Sequence, residues 1–223
     1  MVHVITTINR PPKELIDQFQ HMSVATVYEA SDRKGFVDYH IKPIAEGVRI
    51  CGPAFTVECH PKDNLMLHKA LEKARSGDVI VASAGGFYEA GYWGEMMGMS
   101  ATAKEIGGLA IDGCVRDSAA LVDLGFPIFC RGFAIAGTTK TVLGLINHPI
   151  LFGGAPVNPG DIVLGDGDGL VIVDQASAVE VLEKSRMRME MEKEKSALLK
   201  KGVSSIEINR LDKVFESLGL KEE

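Results

Sequence analysis

The sequence predicts an α/β fold with mixed rather than purely parallel sheets. Helical and strand-like apolar patterns alternate along the 223 residues, as expected for helices packed on a sheet. Residues 158–174, NPGDIVLGDGDGLVIVD, contain two β runs joined by glycine and aspartate, and a hairpin of this kind adds antiparallel pairing. Near the C-terminus, Ala176 to Lys201 is predicted as one long charged helix ending at Gly202.

Length and composition fit a single domain. A chain of 223 residues with 46% hydrophobic content can bury a substantial core. We expect one domain over residues 1–223, with an N-terminal extension at 1–13 and a C-terminal helical segment at 176–223.

The first elements are two short helices and a strand region. Pro11-Pro12 opens the first helix, because proline in a first turn sacrifices no hydrogen bond. Ser23 or Thr26 starts the second, which leads to Gly35 as a left-handed terminator. Residues 47–59, GVRICGPAFTVEC, then predict one strand or two strands interrupted at a Gly-Pro pair.

A capped helix and a buried strand follow. Asp63-Asn64 caps a helix over residues 65–74, and VIVAS, Val79 to Ser83, reads as a strand covered on both faces. His68 stands on or beside the apolar stripe of that helix. We therefore interpret His68 as a core histidine.

The segment 94–117, GEMMGMSATAKEIGGLAIDGCVRD, is the predicted active site. A helix should begin at Gly94 or Glu95 and end at the Gly-Gly pair 107–108. A short apolar strand over 109–111 then places Arg116 and Asp117 on a loop beyond its carboxyl end, where ligands bind in open α/β folds. Further elements are predicted in the following order: a helix over 118–124, a strand over 127–130 and β structure over 150–152.

These residue types offer a specific chemistry. Asp117 can give a hard cation an oxygen ligand, Glu95 can hold the waters of that cation, and Arg116 can grip a carboxylate through two parallel hydrogen bonds. The backbone amides of Met96 and Met97 would complete an anion cradle. Taken alone, an Arg-Asp dipeptide is more often an exposed surface pair, so this alternative stays open here. Two alternatives stay open for the aromatic cluster next to Glu95, which either walls the pocket or is ordinary packing; we expect it to lie just behind the residues that bind the ligand. The cluster consists of Tyr88, Tyr92 and Trp93.

Several function classes are disfavoured. A net charge of −6 without a basic run argues against nucleic-acid binding, and no segment is apolar enough to span a bilayer. The cysteines show no CxxC spacing and the histidines no metal-ligand spacing. GTTKT at 137–141 lacks a Walker pattern, and the glycine-aspartate run at 165–169 lacks the glutamate of an EF-hand. We expect a cytoplasmic protein.

The motifs resemble those of the RraA-like family, in particular the class II pyruvate aldolases that act on 4-hydroxy-4-methyl-2-oxoglutarate and 4-carboxy-4-hydroxy-2-oxoadipate. An acid after glycine, twenty residues before a DGxxRD pattern, is similar to the metal site of those enzymes. Five further segments match in order and spacing: SVATVYEASDRKG (23–35), DNLMLHKALEKARSGDVIV (63–81), GYWGE (91–95), DLGFPIFCRG (123–132) and VNPGDIVLGDGDGLVIV (157–173).

The resemblance implies a fold and a site. The fold would be a layered α/β/β/α sandwich similar to the swivelling phosphohistidine domain, assembled as a homotrimer or homohexamer. Asp117 would bind Mg²⁺, Mn²⁺ or another divalent metal directly, and Glu95 and Glu192 would hold its waters. Glu192 would come from a neighbouring subunit, with Glu190 and Glu194 as alternatives. Substrate binding would fall to the segment Gly94, Glu95, Met96 and Met97 together with Arg116.

The implied reaction is cleavage of a 4-hydroxy-2-oxo acid to pyruvate plus pyruvate or oxaloacetate. Arg116, Glu95 and Asp117 would be the catalytic residues, and oxaloacetate decarboxylation would be a side activity. The alternative is a non-catalytic regulator, since the same superfamily includes a protein inhibitor of an RNA-degrading endonuclease. Regulators of that kind lack the full metal constellation, which is present here.

Overall fold

The computed structural model describes residues 2–222. Helices and strands alternate along most of the chain. The helices are α1 (Lys13–Phe19), α2 (Val24–Ala30), α3 (Leu65–Lys73), α4 (Glu95–Ala103), α5 (Ser118–Leu124), α6 (Ala178–Lys200), α7 (Ser205–Asn209) and α8 (Asp212–Leu218). The strands are β1 (Lys42–Pro43), β2 (Ile50–Glu58), β3 (Val79–Ser83), β4 (Gly108–Asp112), β5 (Cys114–Val115), β6 (Ile128–Cys130), β7 (Gly132–Phe133), β8 (Leu145–Ile146), β9 (Ile150–Phe152), β10 (Ala155–Val157), β11 (Ile162–Asp166) and β12 (Gly169–Val173).

The main sheet is mixed, with the order β1-β6-β4-β3-β2-β11-β12 and β8 paired to β2. Its centre, β2-β3-β4-β6, is parallel, whereas β1, β8, β11 and β12 join antiparallel. The two end strands β1 and β12 come close together, so the sheet is nearly closed; Lys42 donates to the carbonyl of Asp168 across this gap at 2.6 Å. The predicted α/β class, mixed sheet and long C-terminal helix are confirmed.

Strand β3 divides the core, because successive residues of a strand point to opposite faces. Ile80 and Ala82 pack into the cluster that holds the buried residues of α3, α4 and α5. Val79 and Val81 face the other way, into a cluster shared with β2, β6 and β9. A third cluster buries α1, α2 and the start of α6 against β11 and β12.

Of the two alternatives predicted for residues 47–59, the structure has the single strand, since β2 runs through Gly52 and Pro53 without interruption. One boundary differs from prediction. Helix α4 ends at Ala103, with Glu105 in the left-handed region at φ 56°, so the Gly-Gly pair does not cap it. Gly107 instead lies beside the backbone of Gly77, where a Cβ would come within 2.7 Å of the carbonyl oxygen. Close backbone approach, rather than helix termination, explains that glycine.

The N-terminal segment is attached to the sheet. The Ile5 amide donates to Ile146 at 3.1 Å, and the Ile146 amide donates to His3 at 2.8 Å. Farther along, Arg10 grips the buried carboxylate of Asp78 with two hydrogen bonds of 2.6 and 2.7 Å. Over residues 2–222, no helix is both long and apolar enough to cross a membrane.

Candidate active site

Two chain segments run side by side to build the candidate site. The Tyr92 amide donates to Cys114 and the Arg116 amide donates to Trp93, each at 2.9 Å. Through this parallel pairing, residues 91–94 lie alongside β5 and the residue after it, at positions 114–116. It explains how the start of α4 and the loop after β5 meet although about twenty residues separate them.

Asp117 stands where these segments end. Its backbone is left-handed, with φ 57° and ψ 40°, a conformation that costs a non-glycine residue free energy and that aspartate tolerates better than most. The Asp117 carboxylate does not cap α5. Oδ2 instead accepts a hydrogen bond of 3.1 Å from the Glu95 amide, and Arg116 Nε lies 3.7 Å from the same oxygen. Glu95, Arg116 and Asp117 are thus brought together.

Two glycines leave room for this arrangement. A Cβ on Gly94 would collide with Asp117 Oδ2. A Cβ on Gly91 would lie 2.6 Å from the Ala134 carbonyl oxygen and 2.7 Å from Arg116 Cβ. Side chains at either position would displace the residues that define the site.

The site opens into a cavity of about 250 Å³. Its walls come from the start of α3, the 91–97 segment, the Arg-Asp pair and the loop after β7. The lining residues are Asn64, His68, Gly91, Tyr92, Gly94, Met96, Met97, Arg116, Asp117, Gly137, Thr138 and Lys140. Every predicted site residue except Glu95 and Glu192 lines this cavity, and Glu95 is linked to it through its amide.

The predicted cradle of two backbone amides is reduced to one. The Met97 amide donates to the Gly94 carbonyl at 3.1 Å, because the first turn of α4 is tight. The Met96 amide has no hydrogen-bond partner among the described residues, and its side chain is 68% exposed. Of the two amides in the predicted cradle, the Met96 amide is therefore the one left to donate to an anion.

His68 is not a core histidine, contrary to our interpretation of the sequence. Its side chain is exposed and lines the cavity. The buried face of α3 is formed instead by Met66, Leu67, Ala70 and Leu71. Partial burial, followed by the positive charge of Lys140, lowers the pKa of His68 below its ordinary value. The lowered pKa favours the neutral form of the ring.

Asp63 is a functional neighbour that the sequence did not reveal. Its carboxylate is 1% exposed. Oδ1 accepts from the Leu65 amide at 2.9 Å, and Oδ2 accepts from the Thr141 amide at 2.6 Å and the Thr139 hydroxyl at 2.8 Å. Burial acts to raise the pKa of Asp63, but these hydrogen bonds outweigh it and lower the pKa from 3.8 to about 2. Asp63 thus fastens the loop that carries Thr138 and Lys140 to the start of α3.

The three aromatic residues of the predicted cluster lie in three different surroundings. Tyr92 lines the cavity, and its hydroxyl bridges the Lys62 amide and the Ala84 carbonyl at 2.7 and 3.2 Å. Trp93 is fully buried and stacks on Phe126. Tyr88 lies elsewhere, under the guanidinium of Arg131.

Glu192 lies apart from the cavity within one chain. Its Oε1 is 2.8 Å from Arg188 Nε, and its Oε2 accepts from the Thr26 hydroxyl at 3.4 Å. A role for Glu192 in the site of a neighbouring subunit stays a prediction, as it does for Glu190 and Glu194.

The donor set fits a weakly held divalent cation. Among residues 2–222, no three His, Cys, Asp or Glu side chains converge on one point. A single cavity carboxylate, half-exposed Asp117, suits a metal such as Mg²⁺, which commonly keeps several waters and binds through one or two carboxylates plus substrate oxygens. Glu95 is the first residue of α4, and its carboxylate can hold such a water.

Comparisons with known proteins identify the family of the chain. A family model described as RraA-like, Aldolase/RraA, matches residues 23–172. A protein of Halalkalibacterium halodurans with the provisional name 4-hydroxy-4-methyl-2-oxoglutarate aldolase is 39% identical over 174 residues, which cover 78% of this chain and 82% of that protein.

Two solved structures have the same fold. A Pseudomonas syringae pv. tomato protein described as uncharacterized has a TM-score of 0.80 and 28% identity, covering 91% of this chain and all of that one. RraAS2 of Streptomyces coelicolor, described as an unusual member of the RNase ES inhibitor RraA protein family, has a TM-score of 0.77 and 29% identity over 86% of this chain and all of that one. The chain therefore belongs to the RraA-like family.

Proposed function

We propose that this chain is a divalent-metal-dependent aldolase. It cleaves 4-hydroxy-4-methyl-2-oxoglutarate or 4-carboxy-4-hydroxy-2-oxoadipate to pyruvate plus pyruvate or oxaloacetate. The observation that carries the proposal is the meeting of Glu95, Arg116 and Asp117 at one cavity, with the Glu95 amide 3.1 Å from Asp117 Oδ2. The name of the Halalkalibacterium halodurans relative supports the same reaction.

Arg116 binds the carboxylate next to the reacting carbons. Its guanidinium is half-exposed and reaches towards the Gly137 side of the cavity, so it can donate two parallel hydrogen bonds to a carboxylate. The Met96 amide supplies a further donor. Together these groups orient a 2-oxo acid, which lowers the entropic part of the barrier.

Asp117 holds the cation, and its own position is fixed by the Glu95 amide. Breaking the C3–C4 bond leaves an electron pair on C3 that spreads towards the 2-keto oxygen. A bound Mg²⁺ or Mn²⁺ supplies positive charge at that oxygen, typically worth several kcal/mol.

As the C4 hydroxyl becomes a carbonyl, its proton passes to a water that the Glu95 carboxylate orients, and that water returns a proton to C3. Glu192 of a neighbouring subunit holds a second water in a homotrimer or homohexamer. Because oxaloacetate loses CO₂ with the same build-up of charge on C3, oxaloacetate decarboxylation accompanies the main reaction.

The test is pyruvate release coupled to lactate dehydrogenase, with either 4-hydroxy-2-oxo acid or oxaloacetate as substrate. We expect turnover that EDTA abolishes and that Mg²⁺ or Mn²⁺ restores. Turnover that EDTA leaves unchanged would refute metal dependence, and no turnover of either hydroxy acid in the presence of the metals would refute the aldolase.

A second candidate is a regulator of ribonuclease activity, which the description of the Streptomyces coelicolor structure favours. Regulation by protein–protein binding has no need of Asp117. Inhibition of an RNase ES-type endonuclease on a fluorogenic RNA, equal for the native protein and for Asp117→Asn, would support the regulator. Absence of inhibition together with metal-dependent turnover would support the enzyme.

A further inference from the structure

The cavity extends beyond the groups that the proposed reaction uses. Arg116, Asp117 and the Met96 amide form part of its lining. The lining also includes Asn64, His68 and Lys140, which have no role in holding the 2-oxo carboxylate or the cation. A substrate cleaved between C3 and C4 must place its C4 half somewhere in this space.

Asn64 and His68 face the cavity together for a geometric reason. Asn64 is the residue before α3, and His68 is four residues later, so the two lie one helical turn apart on the same face. Asn64 is 5% exposed. Its Nδ2 donates to the Tyr92 carbonyl at 2.8 Å, whereas its buried Oδ1 has no hydrogen-bond partner in the described part of the chain. A ligand hydroxyl in the cavity can donate to this oxygen.

Lys140 reaches the same region from the loop after β7. The loop is clamped to the start of α3, since the Asn64 amide donates to Thr139 at 3.1 Å and the Thr139 amide donates to Lys62 at 2.8 Å. Lys140 lines the cavity and is exposed, and among residues 2–222 no salt bridge engages its ammonium group. His68 and Lys140 both line this cavity.

We propose that Lys140 and His68 bind the second carboxylate of the substrate, in the cavity that Arg116 also lines. Lys140 supplies the charge, and neutral His68 donates through one ring nitrogen. Asn64 Oδ1 accepts a hydrogen bond from the substrate hydroxyl between the two carboxylates. This assignment rests on the proposed aldolase function and adds the residues that select a dicarboxylate over a monocarboxylate.

The experiment compares two ligands by isothermal titration calorimetry in the presence of Mg²⁺. These are 2-oxoglutarate and 2-oxopentanoate, which carries a methyl group in place of the second carboxylate. We expect Lys140→Met to raise the Kd of 2-oxoglutarate at least about tenfold and to leave the Kd of 2-oxopentanoate within about twofold. His68→Gln should give a smaller loss with the same selectivity.

Lys69→Met is the matched control. It also removes one positive charge, and it does so from α3 itself, but Lys69 pairs with Glu72 at 2.6 Å and does not line this cavity. It should leave both dissociation constants unchanged.

The two proposals fail in different ways. The carboxylate assignment would be overturned if Lys140→Met weakened the binding of both ligands equally, or if Lys69→Met weakened 2-oxoglutarate binding as much as Lys140→Met does. Turnover of the hydroxy acid by the native protein would be unaffected by either result. Absence of turnover in the native protein would overturn the aldolase, and selective loss of 2-oxoglutarate binding in Lys140→Met would then still support the subsite.

Discussion

At the scale of single residues, the candidate site depends on one carboxylate held in an unfavourable backbone conformation. Asp117 is left-handed, and the contact that orients its side chain comes from the backbone of Glu95. The strain is retained at the position where the proposed chemistry needs an oxygen ligand, as is common for functional residues.

The first prediction concerns the two residues of the Arg-Asp pair. Asp117→Asn and Arg116→Ala should each lower kcat/KM by at least roughly a hundredfold, since one removes the charge that holds the cation and the other the carboxylate clamp. Circular dichroism should show an intact fold. Asp123 is an exposed residue of α5, so Asp123→Asn is the control and should have native activity. Near-native rates in either site variant would mean that the site lies elsewhere.

The second prediction uses the glycine before the acid. Gly94→Ala places a Cβ against Asp117 Oδ2 and should displace the carboxylate, so kcat/KM falls at least about tenfold and more Mg²⁺ is needed for half-maximal rate. Gly167→Ala is the control, because a Cβ there meets nothing within 4 Å. If both variants titrate with Mg²⁺ like the native protein, the close approach has no functional role.

At the scale of elements, the site is an assembly of loops that long-range contacts fasten to helices. Asp63 ties the loop after β7 to α3, and Arg10 ties the N-terminal segment to the turn before β3. Both contacts involve carboxylates with almost no exposed surface. Their loss should therefore be costly.

The third prediction is a pH dependence from Asp63. Its pKa of about 2 lies below the ordinary value of 3.8, so the carboxylate stabilises the fold fully above pH 4 and progressively less as the pH falls towards 2. In urea titrations, Asp63→Asn should be less stable than the native protein at pH 6, and the difference should shrink between pH 4 and pH 2. A difference that is constant over this range would rule out Asp63 as the titrating group.

The fourth prediction concerns the N-terminal segment. Arg10→Leu leaves the buried Asp78 carboxylate without its guanidinium partner and should lower the free energy of unfolding by about 3 kcal/mol. Lys13→Met breaks a pair whose side chains are 81% and 50% exposed and should cost less than about 0.5 kcal/mol. Equal values in urea denaturation would show that the segment contributes little to stability.

The sequence predicted elements best where the signals are local. Strand β3 and helix α5 have the predicted bounds. For β3, an apolar run between turn residues is a sufficient signal. The role of Asp63 was predicted only as a cap. Its Oδ2 accepts hydrogen bonds from Thr139 and Val142, which lie 76 and 79 positions later in the chain. A local sequence pattern cannot reveal contacts over that separation. His68 was misjudged for the same reason, since its surroundings come from a distant loop.

At the scale of the whole molecule, Asp117 is the single carboxylate that residues 2–222 of one chain bring to the cavity. The long helix α6 carries Glu192 among mixed charges, and beyond Ser185 it buries no residue. Exposed apolar side chains along its outer half include Met187, Met189, Met191, Leu198 and Leu199. This composition suits the proposed packing against a neighbouring subunit.

The fifth prediction tests that packing by mixing variants. Asp117→Asn and Glu192→Gln should each be nearly inactive alone and form trimers or hexamers in light scattering. Refolded together in equal amounts, they should regain about a quarter of native activity, because that share of sites pairs an intact Asp117 with an intact Glu192 from the next subunit.

Mixing Asp117→Asn with Arg116→Ala is the control. Those residues belong to one chain's site, so no intact site forms and activity should not return. Glu190→Gln and Glu194→Gln should behave like the native protein. A fully active monomer, or recovery in the control mixture, would exclude a shared site.

Position 95 has two separate roles: its backbone N–H orients the Asp117 carboxylate, and its side chain is proposed to orient a water. Any amino acid except proline can donate that backbone N–H, so replacing the side chain at 95 should alter reactivity without displacing Asp117, the proposed metal ligand. Position 95 is therefore a suitable place to diversify this scaffold by directed evolution, because each new variant keeps the position of Asp117 unchanged.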